Sequence, residues 1–413
     1  MTQAIRKSVP GPLEPAPFNI PQPVVATLDN GLRVVMVADK RLPLVSYRLA
    51  FLFGDADDPT ESIGITSAMA SMVTEGTANL SSLDLAEKIE RLGASLSASS
   101  SDDFTMVAAS SLSIYSTEIL QLMVEVLFRA TFPEAELDLY KRNTIENLKF
   151  QRSQPGFLAN EQVARILYGD HPYARISPTS DDIEKLSREK LADFYATQLI
   201  PNNAIFIAVG DIDTTEFLKE IEGKFGGWKS QNIPVATVPD APARNGRSLT
   251  IVDRPGSAQA NIVLANSAFG RDHPDYFAAT VMNQILGAGA SSRVFMNLRE
   301  EKGYTYGAYT RLDAKRLAGD FDATAEVRTQ VTGDSLREFF FELERIRTEP
   351  VSGTELGDAK NFLTGVFPIR AETQEGLTNL IVNQQLYGLP ADYLQTYRDN
   401  IEAISIEDVQ RVA

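Results

Sequence analysis

Patterns of apolar and polar positions divide the first half of the chain into strands and helices. Apolar residues alternate along the predicted strands and recur at helical spacing in the predicted helices. In order, the predicted elements are a hairpin over 24–37 with the turn Asp29-Asn30-Gly31, a strand over 44–53, helices from residue 64 and over 82–92, a strand pair over 95–111, helices over 116–130 and 133–152, and a buried strand over 204–209.

The same order of elements returns in the second half. The predicted elements there are strands over 248–252 and 260–264, helices over 273–286 and 292–301, strands over 304–311 and 319–327, and helices over 335–349 and 353–366. A repeat of about 200 residues in this order predicts two homologous α+β domains.

Composition suggests where these domains begin and end. Residues 1–23 carry six prolines and predict an extended N-terminal arm, whereas 24–230 and 248–413 are the two repeats. The stretch 231–247 is rich in Pro, Ala and polar residues and predicts a linker. The second repeat stops without a counterpart of the strand at 204–209. We therefore expect a cut or disordered tail, or a second sheet built without that strand.

Charge and residue usage exclude several classes of function. The formal net charge of −16 argues against nucleic acid or an anionic membrane as partner and favours peptides that carry Lys and Arg. The chain has no Cys and two His, His171 and His273, each followed by Pro. Neither His has a partner at i+4, so no four-ligand zinc site can be assembled. Both are expected in a loop or at a helix start.

The chain gives little indication of its compartment. No stretch reaches the roughly 18 consecutive apolar residues of a membrane span. Residues 1–23 lack the apolar core of a secretory signal, so the cytoplasm is the default. A periplasmic location follows instead if a signal peptide has been removed.

The most specific motif is the segment 291–306, SSRVFMNLREEKGYTY. It resembles the substrate-clamping segment of the pitrilysin and mitochondrial-processing-peptidase family of zinc metallopeptidases, in which an Arg and a Tyr seven positions apart reach into the active-site chamber. Arg299 and Tyr306 occupy those positions. The resemblance extends in element order from about residue 24 to the end, and implies two α/β-sandwich domains of the processing-peptidase type.

The resemblance makes Arg299 and Tyr306 candidate substrate-binding residues. Both side chains are hydrogen-bond donors at neutral pH, and together they could hold a peptide carbonyl as it becomes an oxyanion. The alternative is that Arg299 pairs with Glu300 or Glu301 on a solvated helix face and Tyr306 is an ordinary strand aromatic.

A glycine loop precedes this segment. Gly287-Ala288-Gly289 follows a predicted helix, so a dinucleotide-binding interpretation fails, because that motif must follow a strand. In the related peptidases the corresponding loop is thought to contact substrate. The alternative is a tight turn that requires glycine.

The first half lacks the zinc motif that the resemblance implies. An inverted zincin site needs His-x-x-Glu-His, because residues at i and i+4 share a helix face and can grip one metal. Ser67, Ala70 and Ser71 stand at the three chemical positions. A serine hydroxyl is a poor zinc ligand and a methyl group cannot act as a base, so we expect no metal in this chain.

Two further features of the family fall in the first half. The third zinc ligand of the catalytic relatives, a Glu, corresponds to Glu146 or Asn147, and without two His it is expected to be a helix-surface residue. The predicted strand at 94–102 places serines on one face, as in a half-buried strand. Its counterpart in the relatives is an edge that pairs with substrate, and here it could bind peptide by strand addition.

These features lead to one functional hypothesis and one rival. The chain is interpreted as the non-catalytic subunit of a two-chain zinc peptidase, whose homologous sister chain brings His-x-x-Glu-His and the zinc. In isolation the chain could form a homodimer. The rival is a structural or scaffold homologue with no part in cleavage, like the core proteins of respiratory complexes. Retention of Arg299 and Tyr306 favours the first.

Overall fold

The structure is a computed structural model of the 413-residue chain, and it describes residues 19–232, 238–243 and 246–413. Most of the predicted N-terminal arm, residues 1–18, lies outside the described residues. So do 233–237 and 244–245 of the predicted linker.

Nine strands and fifteen α-helices make up most of the regular structure of the described residues. The strands are β1 Val24–Thr27, β2 Arg33–Ala38, β3 Leu44–Phe51, β4 Ser95–Ser100, β5 Thr105–Leu112, β6 Ala204–Gly210, β7 Gln259–Ala268, β8 Thr305–Ala314 and β9 Gly319–Arg328. The helices are α1 Ile65–Met72, α2 Ser82–Arg91, α3 Ser116–Arg129, α4 Glu134–Ser153, α5 Pro155–Tyr168, α6 Ser180–Glu184, α7 Arg188–Gln198, α8 Thr214–Phe225, α9 Tyr276–Leu286, α10 Arg293–Phe295, α11 Thr332–Thr348, α12 Gly353–Glu372, α13 Gln374–Leu386, α14 Tyr393–Glu402 and α15 Ile406–Val412.

The first sheet is mixed and has six strands in the order β1-β2-β6-β3-β5-β4. Strands β2 and β6 run parallel, and the other neighbouring strands run antiparallel. The continuous apolar sequence of β6, AIFIAVG, fits its place in the middle of the sheet, where all seven residues are buried. The serine-bearing strand β4 is an edge, as the resemblance implied.

The second sheet is antiparallel and has three strands among the described residues, in the order β7-β9-β8. The predicted strand at 248–252 is wrong, because these residues form no strand. In the first sheet β2 pairs with the central strand β6. No described strand takes the place of β6 in the second sheet, so residues 248–252 have no such partner.

Helices from each half cover the sheet of the other half. One face of the first sheet packs against α1, α3, α7 and α8. The opposite face packs against α13, which comes from the second half, and α5 of the first half packs on β7. The predicted α+β fold of sheets covered by helices is confirmed. The domain boundaries at 230 and 248 stay predictions, because packing interleaves the two halves.

Polar contacts fix α13 on the first sheet. The Gln374 side-chain amide donates to the backbone carbonyls of Leu44 and Val209, at 2.8 and 3.0 Å. The buried guanidinium of Arg48 pairs with Glu375. Gln374 and Glu375 are the first two residues of α13. Their contacts therefore fix where this helix of the second half packs on the sheet of the first half.

Candidate functional site

Helix α1 carries the three positions at which the zinc motif is lost. It begins after Gly64, whose φ of 87° is left-handed and therefore favours glycine. Asp58 accepts hydrogen bonds from the backbone N–H of Gly64 at 2.5 Å and of Thr66 at 3.1 Å. The Asp58 carboxylate thus accepts hydrogen bonds from backbone N–H groups at the start of α1. The helix can therefore form although the zinc-binding residues are missing from it.

Ser67 stands at the position of the first zinc ligand, and its hydroxyl is hydrogen-bonded to two other side chains. The Ser67 hydroxyl lies 3.0 Å from the Asp55 carboxylate and 2.8 Å from Ser100 Oγ. Ser100 in turn donates to Asp55 at 2.7 Å. Burial raises the pKa of Asp55, and the hydrogen bonds from Ser100 and Ser67 oppose that shift. The three side chains satisfy one another and form a closed cluster.

The other zinc positions supply no ligand. Ala70 is buried and Ser71 is exposed. Glu146 on α4 is exposed and pairs with Lys149 at 2.7 Å, which agrees with its interpretation as a helix-surface residue, and Asn147 is exposed beside it. Among residues 19–232, 238–243 and 246–413, no three His, Cys, Asp or Glu side chains are grouped so that they could hold a metal ion.

Both histidines have local structural contacts. His171 is buried directly before a short 3-10 helix, and its Nδ1 accepts the backbone N–H of Tyr173 at 3.1 Å. Burial lowers the pKa of His171, which favours this neutral acceptor. His273 Nδ1 accepts the backbone N–H of Asp275 at 3.1 Å, just before α9. The prediction of loop or helix-start histidines is confirmed.

A short α-helix followed by a π-helical turn presents Arg299. Helix α10 continues into this turn over Met296–Glu301. Beneath it, buried Arg293 pairs with Glu355 at 2.7 Å, and the Asn297 amide donates to Glu342 at 2.9 Å. Wide turns of this kind are frequent at functional sites. Here the buried polar contacts hold the turn against α11 and α12.

The Arg299 side chain is partly exposed and has weak partners. Its guanidinium lies 4.9 Å from the centre of the Phe295 ring and 3.4 Å from the Glu300 carboxylate. Ion pairs between exposed side chains contribute little, typically about 0–1 kcal/mol. The pairing with Glu300 that was considered as the alternative is present. Because this ion pair is weak, the guanidinium can exchange Glu300 for another partner.

Tyr306 projects into solvent at the start of β8. Its side chain is 88% exposed. The strand register shifts between Thr305 and Ala308, and Thr305 Oγ1 donates to the backbone carbonyls of Gly307 and Glu326 at 2.8 and 2.7 Å. A bulge of this kind redirects a side chain relative to the sheet. The bulge therefore sets the direction in which the Tyr306 side chain leaves the strand.

The two glycines of the predicted substrate loop differ in their surroundings. The carbonyl of Gly287 accepts the backbone N–H of Thr310 at 3.0 Å, and a Cβ on Gly287 would stand 2.5 Å from that nitrogen. A Cβ on Gly289 would meet only the amide end of Gln284, at 3.1 Å. Gly287 is thus required for close packing of the loop on β8. Gly289 has no comparable packing constraint.

Sequence reasoning missed a charged seam between the two halves. Lys315, in the turn between β8 and β9, pairs with Asp102 at 2.5 Å in the turn between β4 and β5. The backbone N–H of Arg316 donates to Asp103 at 3.0 Å, and Asp103 also accepts from the Tyr173 hydroxyl. The sequence feature that could have indicated this contact is the pair Asp102-Asp103 in one turn and the pair Lys315-Arg316 in the corresponding turn of the second repeat.

A cavity of about 440 Å³ opens at this seam. Carboxylates, cations and tyrosines from both halves form its wall. The lining residues are Asp102, Asp103, Tyr173, Ile176, Arg311, Asp313, Lys315 and Tyr387. Three carboxylates and two cations line the cavity, so it is polar and its charges partly neutralise one another.

Two models of protein families match the chain. The model described as insulinase, peptidase family M16, matches residues 33–177, and the model described as peptidase M16 inactive domain matches residues 185–363. Together they account for most of the chain. Within the part of the chain that the structure describes, each helix is too short or too polar to span a bilayer.

Relatives and solved structures resemble the chain over nearly its whole length. An uncharacterized zinc protease of Streptomyces coelicolor is 23% identical over 94% of this chain and 85% of its own length. A relative in Helicobacter pylori, named a non-peptidase homolog, is 23% identical over 91% of this chain and 87% of its own length. A crystal structure from Pseudomonas fluorescens, described as a peptidase M16 inactive domain, superposes with a TM-score of 0.88 at 26% identity and covers 94% of each chain.

Proposed function

We propose, from the premise that this chain belongs to peptidase family M16, that it is the non-catalytic, substrate-binding subunit of a heteromeric zinc metallopeptidase. A homologous partner subunit supplies His-x-x-Glu-His and the zinc. This chain contributes Arg299 and Tyr306 to the partner's active-site chamber for peptide hydrolysis.

The contrast between the two halves supports this proposal. In the first half Ser67, at the first zinc position, is engaged in the hydrogen-bonded cluster with Asp55 and Ser100, and Ala70 and Ser71 supply no ligand. In the second half Arg299 and Tyr306 are exposed and have no strong partner among the described side chains. A chain that had lost every role in peptide cleavage has no need to present these two donors.

The chemistry of the pair fits a substrate carbonyl. A guanidinium and a phenol hydroxyl both donate hydrogen bonds at neutral pH. Donors fixed before reaction stabilise the negative charge that develops on a carbonyl oxygen during attack by zinc-bound water. The π-helical turn and the strand bulge hold the two side chains on short, ordered segments.

A scaffold protein without a role in cleavage is the second candidate. The contacts of Arg299 with Glu300 and Phe295 favour it, because they give the side chain partners in the absence of substrate. Purification of the tagged chain from its source cells separates the candidates. A co-purifying homologue with His-x-x-Glu-His supports the peptidase, and a set of unrelated subunits supports the scaffold.

Kinetics on the assembled complex test the roles of the two residues. Arg299→Ala and Tyr306→Phe each remove one donor, so kcat should fall by roughly 10²-fold, about 2.7 kcal/mol, with a smaller change in KM. Arg299→Lys should restore only part of the loss, because an ammonium lacks the planar fork of a guanidinium.

An exposed arginine away from the pair provides the control. The side chain of Arg337 on α11 is exposed, and Arg337→Ala should leave both constants unchanged. Assembly, measured by size-exclusion chromatography, should be equal for all variants. Wild-type kcat and KM in both Arg299→Ala and Tyr306→Phe would contradict the proposal and leave the scaffold as the better account.

A further inference from the structure

The π-helical turn that carries Arg299 is closed by backbone hydrogen bonds wider than those of an α-helix. The N–H of Lys302 donates to the carbonyl of Asn297, five residues earlier, at 3.0 Å. The N–H of Tyr304 donates to the carbonyl of Leu298 at 2.9 Å. Wide turns of this kind are rare in proteins, because the backbone ordinarily favours an α-helical turn. Contacts outside the backbone must therefore favour the wide turn here.

One carboxylate of helix α11 contacts both ends of this turn. One oxygen of Glu338 accepts a hydrogen bond from the Asn297 side-chain amide at 3.1 Å. The other oxygen lies 3.3 Å from the ammonium of Lys302. In an α-helix, residues five apart point about 140° away from each other, because each residue turns the helix by about 100°. A wider turn brings them towards one face, so the bridge by Glu338 favours the π-helical form.

The side chain of Asn297 is buried between the turn and α11. Its amide nitrogen also donates to Glu342, at 2.9 Å. Ionised carboxylates only accept hydrogen bonds, so the nitrogen faces them, and the amide oxygen has no partner among the described residues. A buried unpaired oxygen is destabilising, and a local cost of this kind persists only where surrounding contacts hold the segment in place. Glu338 holds both ends of the turn.

We propose that Glu338 is a positioning residue, which keeps the turn π-helical and thereby fixes the direction of Arg299 relative to Tyr306. If the turn became α-helical, the segments before and after it would rotate by about 100° relative to each other. Arg299 lies inside the turn and Tyr306 follows it, so the two donors would lose their present relation. This inference rests on the proposed role of Arg299 and Tyr306 in the partner's active-site chamber.

Hydrogen exchange on the purified full chain tests the turn directly. In Glu338→Ala the backbone amides of Lys302 and Tyr304 should exchange about tenfold faster than in the wild type, because the turn opens more often. Glu338→Gln should show a smaller increase, since its amide oxygen still accepts from Asn297 but no longer pairs with an ammonium. Glu338→Gln keeps the shape of the side chain and carries the test if Glu338→Ala does not fold.

Another carboxylate of the same helix provides the matched control. The side chain of Glu344 is exposed and pairs with Arg347 at 3.3 Å, within α11 itself. Glu344→Ala removes the same group as Glu338→Ala without a contact to the turn. The amides of Lys302 and Tyr304 should therefore exchange at the wild-type rate in this variant. Melting temperatures measured in parallel show whether each variant is folded.

A double-mutant cycle on the assembled complex tests the link to Arg299. Glu338→Ala should lower kcat by about tenfold with a smaller change in KM, because a misdirected donor stabilises the transition state less. In the Arg299→Ala background no guanidinium is left to position, so Glu338→Ala should lower kcat by less than about twofold. A residue with a merely structural role would lower kcat by the same factor in both backgrounds.

The possible failures are distinguishable. Wild-type exchange of Lys302 and Tyr304 in Glu338→Ala would overturn the inference, because the turn would then not depend on this carboxylate. The same loss of kcat on adding Glu338→Ala to the wild type and to Arg299→Ala would also overturn it, since Glu338 would then act elsewhere. Wild-type kinetics in Arg299→Ala would instead refute the proposed role of that residue, and the exchange rates would still decide whether Glu338 holds the turn.

Discussion

Substitution of Gly287 by alanine should destabilise the chain because of a contact that the sequence does not reveal. The new Cβ would stand 2.5 Å from the backbone nitrogen of Thr310, so that backbone would have to move by about 0.9 Å to reach an ordinary separation of 3.4 Å. Thr310 is not free to move. It pairs with Ala323 in β9, and its hydroxyl donates to Asn283 at 2.7 Å.

The magnitude follows from three contributions. Overpacking of a closely packed site costs about 1–3 kcal/mol. Distortion of the hydrogen bond from Thr310 N–H to the Gly287 carbonyl, 3.0 Å long, costs about 1 kcal/mol. The alanine also lowers the entropy of the unfolded chain, which stabilises the folded state by about 0.4–1 kcal/mol and partly offsets these losses. We therefore expect a loss of about 2–3 kcal/mol in the free energy of unfolding.

Gly289→Ala is the matched control, because it adds the same methyl group two residues away. Its Cβ would meet only the flexible end of Gln284, so stability should change by less than about 0.5 kcal/mol. The free energy of unfolding of both variants and of the wild type is measured by urea unfolding, with circular dichroism as the signal. For a domain of about 150–250 residues, a loss of this size should lower the Tm of Gly287→Ala by about 4–12 °C in a thermal melt.

The comparison also separates a structural role from a role in binding. Wild-type stability in Gly287→Ala would refute the packing argument, since it would mean that the loop and β8 move apart without cost. Equal destabilisation by Gly289→Ala would refute it too, because the loss would then follow from the loop backbone in general. Peptide affinity measured on the same two variants would show whether either glycine contacts substrate.

Three further predictions concern the lost metal site and an ion pair. The isolated chain should bind no stoichiometric zinc and cleave no peptide, and one tightly held zinc by metal analysis would refute this. The triple variant Ser67→His, Ala70→Glu and Ser71→His should show little peptide turnover, because the third carboxylate and the groups that orient the ligands are not in place; near-native activity would contradict it. Hydrogen bonding to Arg293 lowers the pKa of Glu355 to about 2, so this carboxylate contributes stability that is present above about pH 4.5 and lost as the pH falls towards 2. Glu355→Gln should lower the free energy of unfolding at pH 7 by roughly 2 kcal/mol after allowance for solvent screening, and the difference from wild type in chemical unfolding should vanish near pH 2; a difference that does not depend on pH would contradict it.

The sequence by itself determined most elements and the chemistry that was lost. Apolar periodicity predicted strand β4 and helices such as α3 and α4, because these patterns reflect burial of one face, and the turn Asp29-Asn30-Gly31 between apolar runs predicted the hairpin of β1 and β2. The motif 291–306 identified the family, and Ser67, Ala70 and Ser71 showed that the zinc ligands are missing. Such statements need only residue types and their spacing.

Only the tertiary structure decided how the halves combine and which contacts surround each candidate residue. The pattern at 248–252 predicted a strand, but a strand needs a neighbour to pair its backbone, and no described strand provides one. Helix α5 packs on the second sheet and α13 packs on the first, so each helix contacts strands that are distant in the chain. The pairing of Lys315 with Asp102 and the contact of Thr310 with Gly287 also join residues that are not neighbours in sequence. Periodicity records that a face is buried and carries no information about which distant element covers it.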